Sequence, residues 1–208
     1  MEAFITSVCA GGIGEIIVCF ELRDGEKRSS SRFLISDGAY IELSLSVGIS
    51  SAFVYDAVEK EANVYAAYKR ALYILGYGSS SRKALHRKLV AKGFEPEFAE
   101  LALERLEANG LLCESEFAIR EGERCLSKLW GTERIRSHLK EKGFSDDAVN
   151  SVFFAFEDMD VDFDKNCALL IEKKYSRIPT DKKELQKLIA SVMRYGYSLS
   201  QIKRALGS

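Results

Sequence analysis

Apolar residues recur at a helical spacing in three similar segments, residues 84–94, 134–144 and 187–197. Each segment carries two apolar residues four positions apart, which places both on one face of a helix. The pairs are Leu85/Leu89, Ile135/Leu139 and Leu188/Val192. Each segment then reaches a glycine, at position 93, 143 or 196, followed by an aromatic residue. Because glycine accepts a left-handed backbone at a helix end, the pattern predicts helices that end at glycines, with positive φ at Gly93 and Gly143.

A further helix is predicted on each side of these three glycine helices. The preceding helices are expected at roughly 56–76, 114–129 and 162–176. Pro96, Ser145 and Ser198 are residue types that open helices, and each stands at the start of a following helix. The repeating unit is therefore three helices, and we expect nine helices in three stacked units. The predicted units are residues 56–111, 112–160 and 161–208.

Residues 1–55 instead contain short apolar runs that are typical of β-strands. The runs at 16–20 and 32–35 are each followed by an Asp-Gly turn signal, and a third segment, Val47–Ser50, closes the region. The pattern predicts about three short strands that pack on the helices, since so few strands are not stable alone. Gly11–Gly14 lacks the Lys-Ser/Thr of a phosphate-binding loop and is expected to form a flexible hairpin loop.

The composition excludes several classes of protein. The chain has 208 residues, of which 47% are hydrophobic and 29% charged, with a net charge of −1. These values are typical of a globular protein, and they mark neither a disordered chain nor a strongly basic nucleic-acid binder. No apolar run reaches the roughly 18 residues that span a bilayer, and no convincing signal peptide is present. We therefore expect no membrane partner and a cytoplasmic location.

Cysteine and histidine usage gives no support for a cofactor. The five cysteines are scattered, and none forms a C-x-x-C motif, so free thiols are expected. The two histidines, His86 and His138, have no cysteine at ligand spacing, so no metal is expected. Paired carboxylates, a catalytic triad and a phosphate loop are all absent from the sequence pattern, which argues against an enzyme.

Charge is segregated along the chain in register with the repeats. Residues 66–94 hold seven Lys/Arg and no Asp/Glu, whereas residues 95–123 hold nine Glu against two Arg. The second repeat shows the same alternation, with six Lys/Arg against two Glu at 124–145 and seven Asp/Glu at 146–164. Stacked repeats would place like helices on like faces, so the pattern predicts one basic and one acidic face.

The basic glycine helices supply the candidate binding residues, because the apolar pairs turn inward and the charged positions between them turn outward. Exposed cations of this kind fit DNA phosphates or an acidic protein surface. The helix over 82–92 offers no Asn or Gln, which favours phosphate contact over base readout. The candidates are Arg82, Lys83, Arg87, Lys88, Arg134, Arg136 and Lys140.

Three aromatic residues stand beside the second and third glycine helices. Trp130 precedes Gly131, and Tyr195 and Tyr197 flank Gly196. Such rings either stack on bases or pack at the helix turns. We favour packing, because the aromatics are too sparse for a single-strand stacking platform.

Three motifs at repeat spacing resemble those of the RecX family of recombinase regulators, over roughly residues 60–208. The first is Ala71-Leu72-x-x-Leu75, then Ser81-Arg82-x-x-Leu85 and Lys88-Leu89-x-x-Lys92-Gly93. The second is Gly110-Leu111-Leu112-Cys113-Glu114 with Phe117-Ala118. The third is Gly131-x-x-Arg134-Ile135-x-x-x-Leu139-x-x-Lys142-Gly143-Phe144. The chain departs from the family pattern at Tyr77, Gly78, Ala84 and Cys113.

The repeats and the resemblance predict a mostly α fold, a tandem array of three three-helix repeats preceded by a small N-terminal β-containing segment. The resemblance implies a non-enzymatic, monomeric regulator that binds the RecA recombinase, chiefly its filament on DNA, and usually inhibits recombinase and coprotease activity. It implies an array that lies in the filament groove, with the DNA phosphate backbone as a weak secondary partner. The residues leave open an alternative, a helix-turn-helix-like DNA-binding protein that uses its basic helices in the major groove.

Overall fold

The computed structural model of the protein describes residues 2–48, 51–175 and 177–207. Within them the fold class predicted above is confirmed, since nine helices, three per repeat, follow a small N-terminal sheet and one short helix. None of the described helices combines the length and apolar character needed to cross a membrane. The elements are β1 (Glu2–Gly12), β2 (Glu15–Asp24), β3 (Lys27–Ser36), α1 (Asp37–Glu42), α2 (Ala52–Gly76), α3 (Arg82–Val90), α4 (Pro96–Ala108), α5 (Glu114–Leu126), α6 (Thr132–Glu141), α7 (Asp146–Asp158), α8 (Phe163–Lys174), α9 (Lys182–Met193) and α10 (Leu199–Leu206).

The three strands form one antiparallel sheet in the order β1-β2-β3. Asp24 pairs with Lys27 across the β2–β3 turn, so the first predicted Asp-Gly turn is confirmed. Gly12 pairs with Glu15 across the β1–β2 turn, so the glycine-rich segment is a hairpin, as expected. The sheet, the segment after α1 and the start of α2 share a buried cluster of Ala3, Ile5, Val18, Phe20, Ile35, Leu45, Tyr55 and Val58.

Two details of the strand prediction are wrong. Asp37–Gly38 is the first turn of α1 rather than a turn between strands, because the Ser36 hydroxyl accepts a hydrogen bond from the Ala39 amide and caps the helix. The third strand is β1 rather than the segment beginning at Val47, of which Ile49 and Ser50 lie outside the described residues. The apolar pattern of β1 is weak because only Ala3 and Ile5 are buried, and its pairing with β2 specifies the strand.

The described chain divides into two compact units. Unit 1 comprises residues 1–78 and 85–112, and unit 2 comprises residues 79–84 and 113–208. The segment before α3 and the start of that helix therefore belong to unit 2, and the rest of α3 to unit 1. The division into four segments by sequence repeat stays a prediction.

The three glycine helices, α3, α6 and α9, have the predicted inward pairs and glycine ends. Leu85, Leu89, Ile135, Leu139, Leu188 and Val192 are all at most 1% exposed. The φ angles of Gly93, Gly143 and Gly196 are 93°, 85° and 92°, which confirms the left-handed conformation. The predicted helix starts are also confirmed: Pro96 opens α4, and the hydroxyls of Ser145 and Ser198 cap α7 and α10.

Within unit 2, the turn at the end of one glycine helix packs on the start of the preceding glycine helix. We call residues 92–94, 142–144 and 195–197 the glycine turns. Ser81, just before α3, donates its hydroxyl to the Lys142 carbonyl at 2.6 Å. At the equivalent place one repeat later, the Gly131 amide donates to the Tyr195 carbonyl at 2.7 Å. The same contact therefore joins successive repeats, once through a side chain and once through the backbone.

Candidate binding surfaces on the glycine helices

Four of the predicted binding residues lie on α3. Lys83, Arg87 and Lys88 are exposed, whereas Arg82 is half-buried and its amide donates to a Glu114 carboxylate oxygen at 3.1 Å. In the described part of the chain, neither Lys83 nor Arg87 has a carboxylate within ion-pair distance. Lys83 and Arg87, on either side of the buried Leu85 in the sequence, therefore present positive charge to solvent.

The other three predicted residues lie on α6, and each is engaged by its own unit. The Arg136 guanidinium lies 4.3 Å from the Phe153 ring centroid, and the Lys140 ammonium lies 2.9 Å from an Asp146 carboxylate oxygen. The hydrogen bond from Lys140 lowers the pKa of Asp146. Because an aspartate of α7 neutralises a lysine of α6, the separation into a basic and an acidic face that the sequence predicts is only partial in the second repeat.

Arg134 lies between two aromatic rings. Its guanidinium carbon is 4.0 Å from the Trp130 ring centroid and 5.0 Å from the Tyr195 ring centroid. The ammonium of Lys128 lies 5.2 Å from the Trp130 centroid, and that of Lys174 lies 4.2 Å from the Tyr195 centroid. We call Lys128, Trp130, Arg134, Tyr195 and Lys174 the cation–aromatic ladder. Cations and rings alternate along it.

The backbone around the ladder fixes the positions of the two rings. Leu129, before Trp130, has a φ of 55°, and its carbonyl accepts a 3.0 Å hydrogen bond from the Tyr197 hydroxyl. Tyr197 is 2% exposed, and this burial raises the pKa of its phenol. Of the three aromatics considered in the sequence, Tyr197 therefore packs inside, whereas Trp130 and Tyr195 stay half-exposed on Arg134.

Glu121 is a buried carboxylate, 8% exposed, that binds three basic side chains. Its Oε1 lies 2.9 Å from His138 Nε2 and 2.8 Å from Lys142 Nζ, and its Oε2 lies 3.6 Å from Arg124 Nη1. Burial acts to raise the pKa of Glu121, but the hydrogen bonds from Lys142 and His138 outweigh it and hold the pKa below the usual 4.5. The carboxylate is therefore ionised and satisfied at neutral pH.

Cys125 lies beside this network. The positions of Glu121, Cys125 and His138 in the sequence did not reveal that the three side chains lie together. Glu121, Cys125 and His138 each offer one ligand atom, all within 4.8 Å of one another. The available signal was the four-residue spacing of Glu121 and Cys125 on one face of α5. Burial raises the pKa of the Cys125 thiol, and the Lys142 ammonium would repel a divalent ion. We therefore assign the group to an internal ion network.

The five cysteines all lie in the described residues and none of them forms a disulfide, as the sequence predicts. Cys125 and Cys167 are buried, and burial raises the pKa of the Cys167 thiol to about 11. A thiol with so high a pKa is unreactive at neutral pH. These two side chains therefore serve packing.

Comparisons with family models and with individual known proteins point to the same family. Residues 67–106 match the family model described as RecX, first three-helix domain, and residues 162–206 match RecX, third three-helix domain. A regulatory protein RecX from Xanthomonas campestris pv. campestris (strain B100) is 33% identical over 138 residues, which cover 66% of this chain and 83% of that relative. Another, from Xanthomonas axonopodis pv. citri (strain 306), is 31% identical with the same coverage.

Two solved structures share the fold. The crystal structure of a regulatory protein RecX has a TM-score of 0.75 at 21% identity and covers 99% of this chain and 100% of that chain. The crystal structure of RecX from Lactobacillus salivarius has a TM-score of 0.60 at 19% identity, with 70% of this chain and 95% of that chain covered. The first likeness extends over the N-terminal sheet as well as the helical repeats.

Proposed function

The chain belongs to the RecX family, and from that premise we propose that it is a non-enzymatic regulator that binds the RecA recombinase, chiefly as its filament on DNA. Binding lowers recombinase and coprotease activity. The observation that carries the proposal is the sequence relationship to proteins named regulatory protein RecX, which extends over 138 residues. Such a regulator acts in the cytoplasm as a monomer, and its action bears on homologous recombination and DNA repair.

The exposed cations of α3 and α6 are the proposed contact residues. Lys83 and Arg87 support this role best, because no carboxylate within the described residues neutralises them. Because the helix already orders the backbone, binding restricts only side-chain rotamers, at a cost of about 0.5–1.5 kcal/mol for each immobilised side chain. They suit an acidic recombinase surface or DNA phosphates, and the DNA contact is the weaker one. The full set is Arg82, Lys83, Arg87, Lys88, Arg134, Arg136 and Lys140.

The proposed mechanism is steric. An array of helical repeats that lies in the groove of the filament bridges neighbouring recombinase protomers. It thereby hinders filament extension or the movements that accompany ATP turnover. No catalytic group of this chain takes part in such a mechanism.

A pull-down of the purified chain against RecA tests the proposal. The assay is run with and without single-stranded DNA and a slowly hydrolysed ATP analogue. We expect enrichment only when the filament is assembled. Sequence-selective binding to bare DNA, with no binding to RecA, would instead support the helix-turn-helix-like alternative.

A pair of charge reversals tests the contact residues. The double variant Arg87→Glu with Lys88→Glu should weaken filament binding and lower the salt dependence, because charged contacts are lost. The matched double variant Glu100→Lys with Glu104→Lys lies on α4 and should leave the DNA-dependent salt slope nearly unchanged. Wild-type affinity and slope in both variants would contradict the proposed contact surface.

A further inference from the structure

Within the part of the chain that the structure describes, the cations of the ladder contact aromatic rings and no carboxylate. In the described residues, none of Lys128, Arg134 and Lys174 has a carboxylate within ion-pair distance, and the adjacent Glu133 forms no ion pair with them. Their neighbours are aromatic rings and two neutral acceptors, the Arg194 carbonyl for Arg134 and the Ser191 hydroxyl for Lys174, and none of these neutralises the positive charge. Six other cations of unit 2 are bound by carboxylates instead, in the pairs Arg120–Glu116, Arg124–Glu121, Lys140–Asp146, Lys142–Glu121, Lys187–Glu184 and Arg204–Asp164.

An equivalent junction in unit 2 forms without a ladder. Positions 130, 134 and 195 at the junction of the second and third repeats correspond to Ser80, Ala84 and Lys142 at the junction of the first and second. That earlier junction closes through the Ser81–Lys142 hydrogen bond with no aromatic ring or guanidinium at these positions. The rings and cations of the ladder therefore exceed what the equivalent junction requires, and Arg134 in addition donates a 3.4 Å hydrogen bond to the Arg194 carbonyl of the next repeat.

The chemistry of the ladder matches a nucleic-acid strand better than an acidic peptide. Aromatic rings and guanidinium planes both stack with bases, while ammonium groups bind phosphates. The face of an aromatic ring is negative, so it does not attract a carboxylate. Lys128 is exposed, so its ammonium is free to move from the indole to a phosphate and leave the ring for a base. The bases of a duplex are already paired and stacked on one another, so an unpaired strand stacks its bases on these rings more readily.

We propose that the cation–aromatic ladder is a binding site for single-stranded nucleic acid. Lys128, Arg134 and Lys174 contact successive phosphates, and Trp130 and Tyr195 stack with bases. The site deepens the proposed function, on which it rests only for the presence of DNA in the filament. It adds four residues that the charge pattern of the sequence did not select.

Trp130 is the only tryptophan of the chain, so it reports directly on the site. Titration of the chain with an oligothymidylate of about 12 nucleotides, a length within the range of single-strand sites, should quench its fluorescence. Three phosphate contacts at about −0.7 each predict a log–log salt slope near −2. Binding detected by another method with no change in the Trp130 emission would overturn the proposal.

Two charge-matched variants give the sharper comparison. Replacing two phosphate contacts, Lys128→Gln with Lys174→Gln, should weaken binding about 20-fold at ~0.1 M salt and reduce the slope by about 1.4. The control Arg120→Gln with Lys187→Gln removes the same charge from exposed ion pairs elsewhere in unit 2. It should bind within about twofold of the wild type. Equal losses of affinity in the two variants would show that only the net charge matters, and would overturn the proposed site.

The assay contains no recombinase, so its outcome is separate from that of the pull-down. A chain that joins the RecA filament but binds no oligonucleotide would overturn this site and leave the proposed function standing. A polyglutamate peptide serves as the competing probe. Tighter binding of that peptide than of the oligonucleotide at the ladder would also overturn the proposal, in favour of an acidic protein partner.

Discussion

The glycine turns at Gly93 and Gly196 arise from one sequence motif, but their surroundings differ. Both follow a helix with two buried apolar residues, and both glycines have φ near 90°. A Cβ added to Gly93 would meet nothing within 4 Å. A Cβ added to Gly196 would collide with the Arg134 backbone nitrogen and lie 2.9 Å from the Gly131 carbonyl oxygen. The motif therefore ends a helix in one place and also joins two repeats in the other.

The position of each turn in the array explains the difference. A glycine turn packs on the repeat before it, and the repeat containing Gly93 is the first. Gly143 is intermediate, since its Cβ would lie 3.2 Å from the Ser81 hydroxyl and 3.3 Å from the Lys83 Cβ. The repeat motif thus specifies the left-handed glycine that ends all three helices, whereas the packing around each glycine depends on the neighbouring repeat.

The largest effect is expected at the most crowded turn. Gly196→Ala should lower the free energy of unfolding by about 3–4 kcal/mol, because overpacking adds to the cost of a Cβ in left-handed backbone. Urea unfolding followed by circular dichroism measures the change. A loss no larger than that of Gly93→Ala would show that the third turn is as open as the first.

The second-largest loss of stability is expected on replacing Glu121, whose carboxylate binds Lys142 in the middle glycine turn. Glu121→Gln should cost about 2 kcal/mol at neutral pH, since three basic side chains lose an ionised acceptor. Because the folded pKa of Glu121 lies below its unfolded value, this stabilisation is present above pH 4.5 and is lost as the pH falls through the folded pKa. Thermal melts across pH 2–7 test it, and an unaltered pH profile in the variant would contradict the assignment.

A smaller loss is expected at the middle turn itself. Gly143→Ala should cost about 2 kcal/mol or slightly less, because Ser81 and Lys83 have to shift by only a few tenths of an ångström in addition to the backbone cost. The informative measurement is the difference between this variant and its neighbours in the series. A loss of stability equal to that of Gly196→Ala would contradict the increase in crowding from the first turn to the third.

The smallest effect is expected at the first turn. Gly93→Ala should cost about 1 kcal/mol, because the backbone conformation is its only penalty. The same urea titration provides the value. A loss as large as that at Gly196 would mean that an unrecognised neighbour packs on the first turn.

Local features of the fold were predictable from the sequence, whereas contacts between distant segments were not. The glycine ends, the inward pairs such as Leu85/Leu89 and the caps at Ser145 and Ser198 depend on a few adjacent residues, and all were predicted. Strand β1 was missed because its pairing with β2 specifies it more than its own pattern does. The ion network at Glu121 joins two helices of one repeat and the ladder at Arg134 joins two repeats, so only the packing of distant segments reveals them.

Titration of preassembled RecA filaments on single-stranded DNA with this chain, followed by the rate of ATP hydrolysis, tests the proposed regulation. We expect the rate to fall progressively as the chain is added, and to fall less with the variant Arg87→Glu with Lys88→Glu. An unchanged rate at saturating amounts of folded chain, together with unchanged coprotease activity, would show that the chain does not regulate the filament.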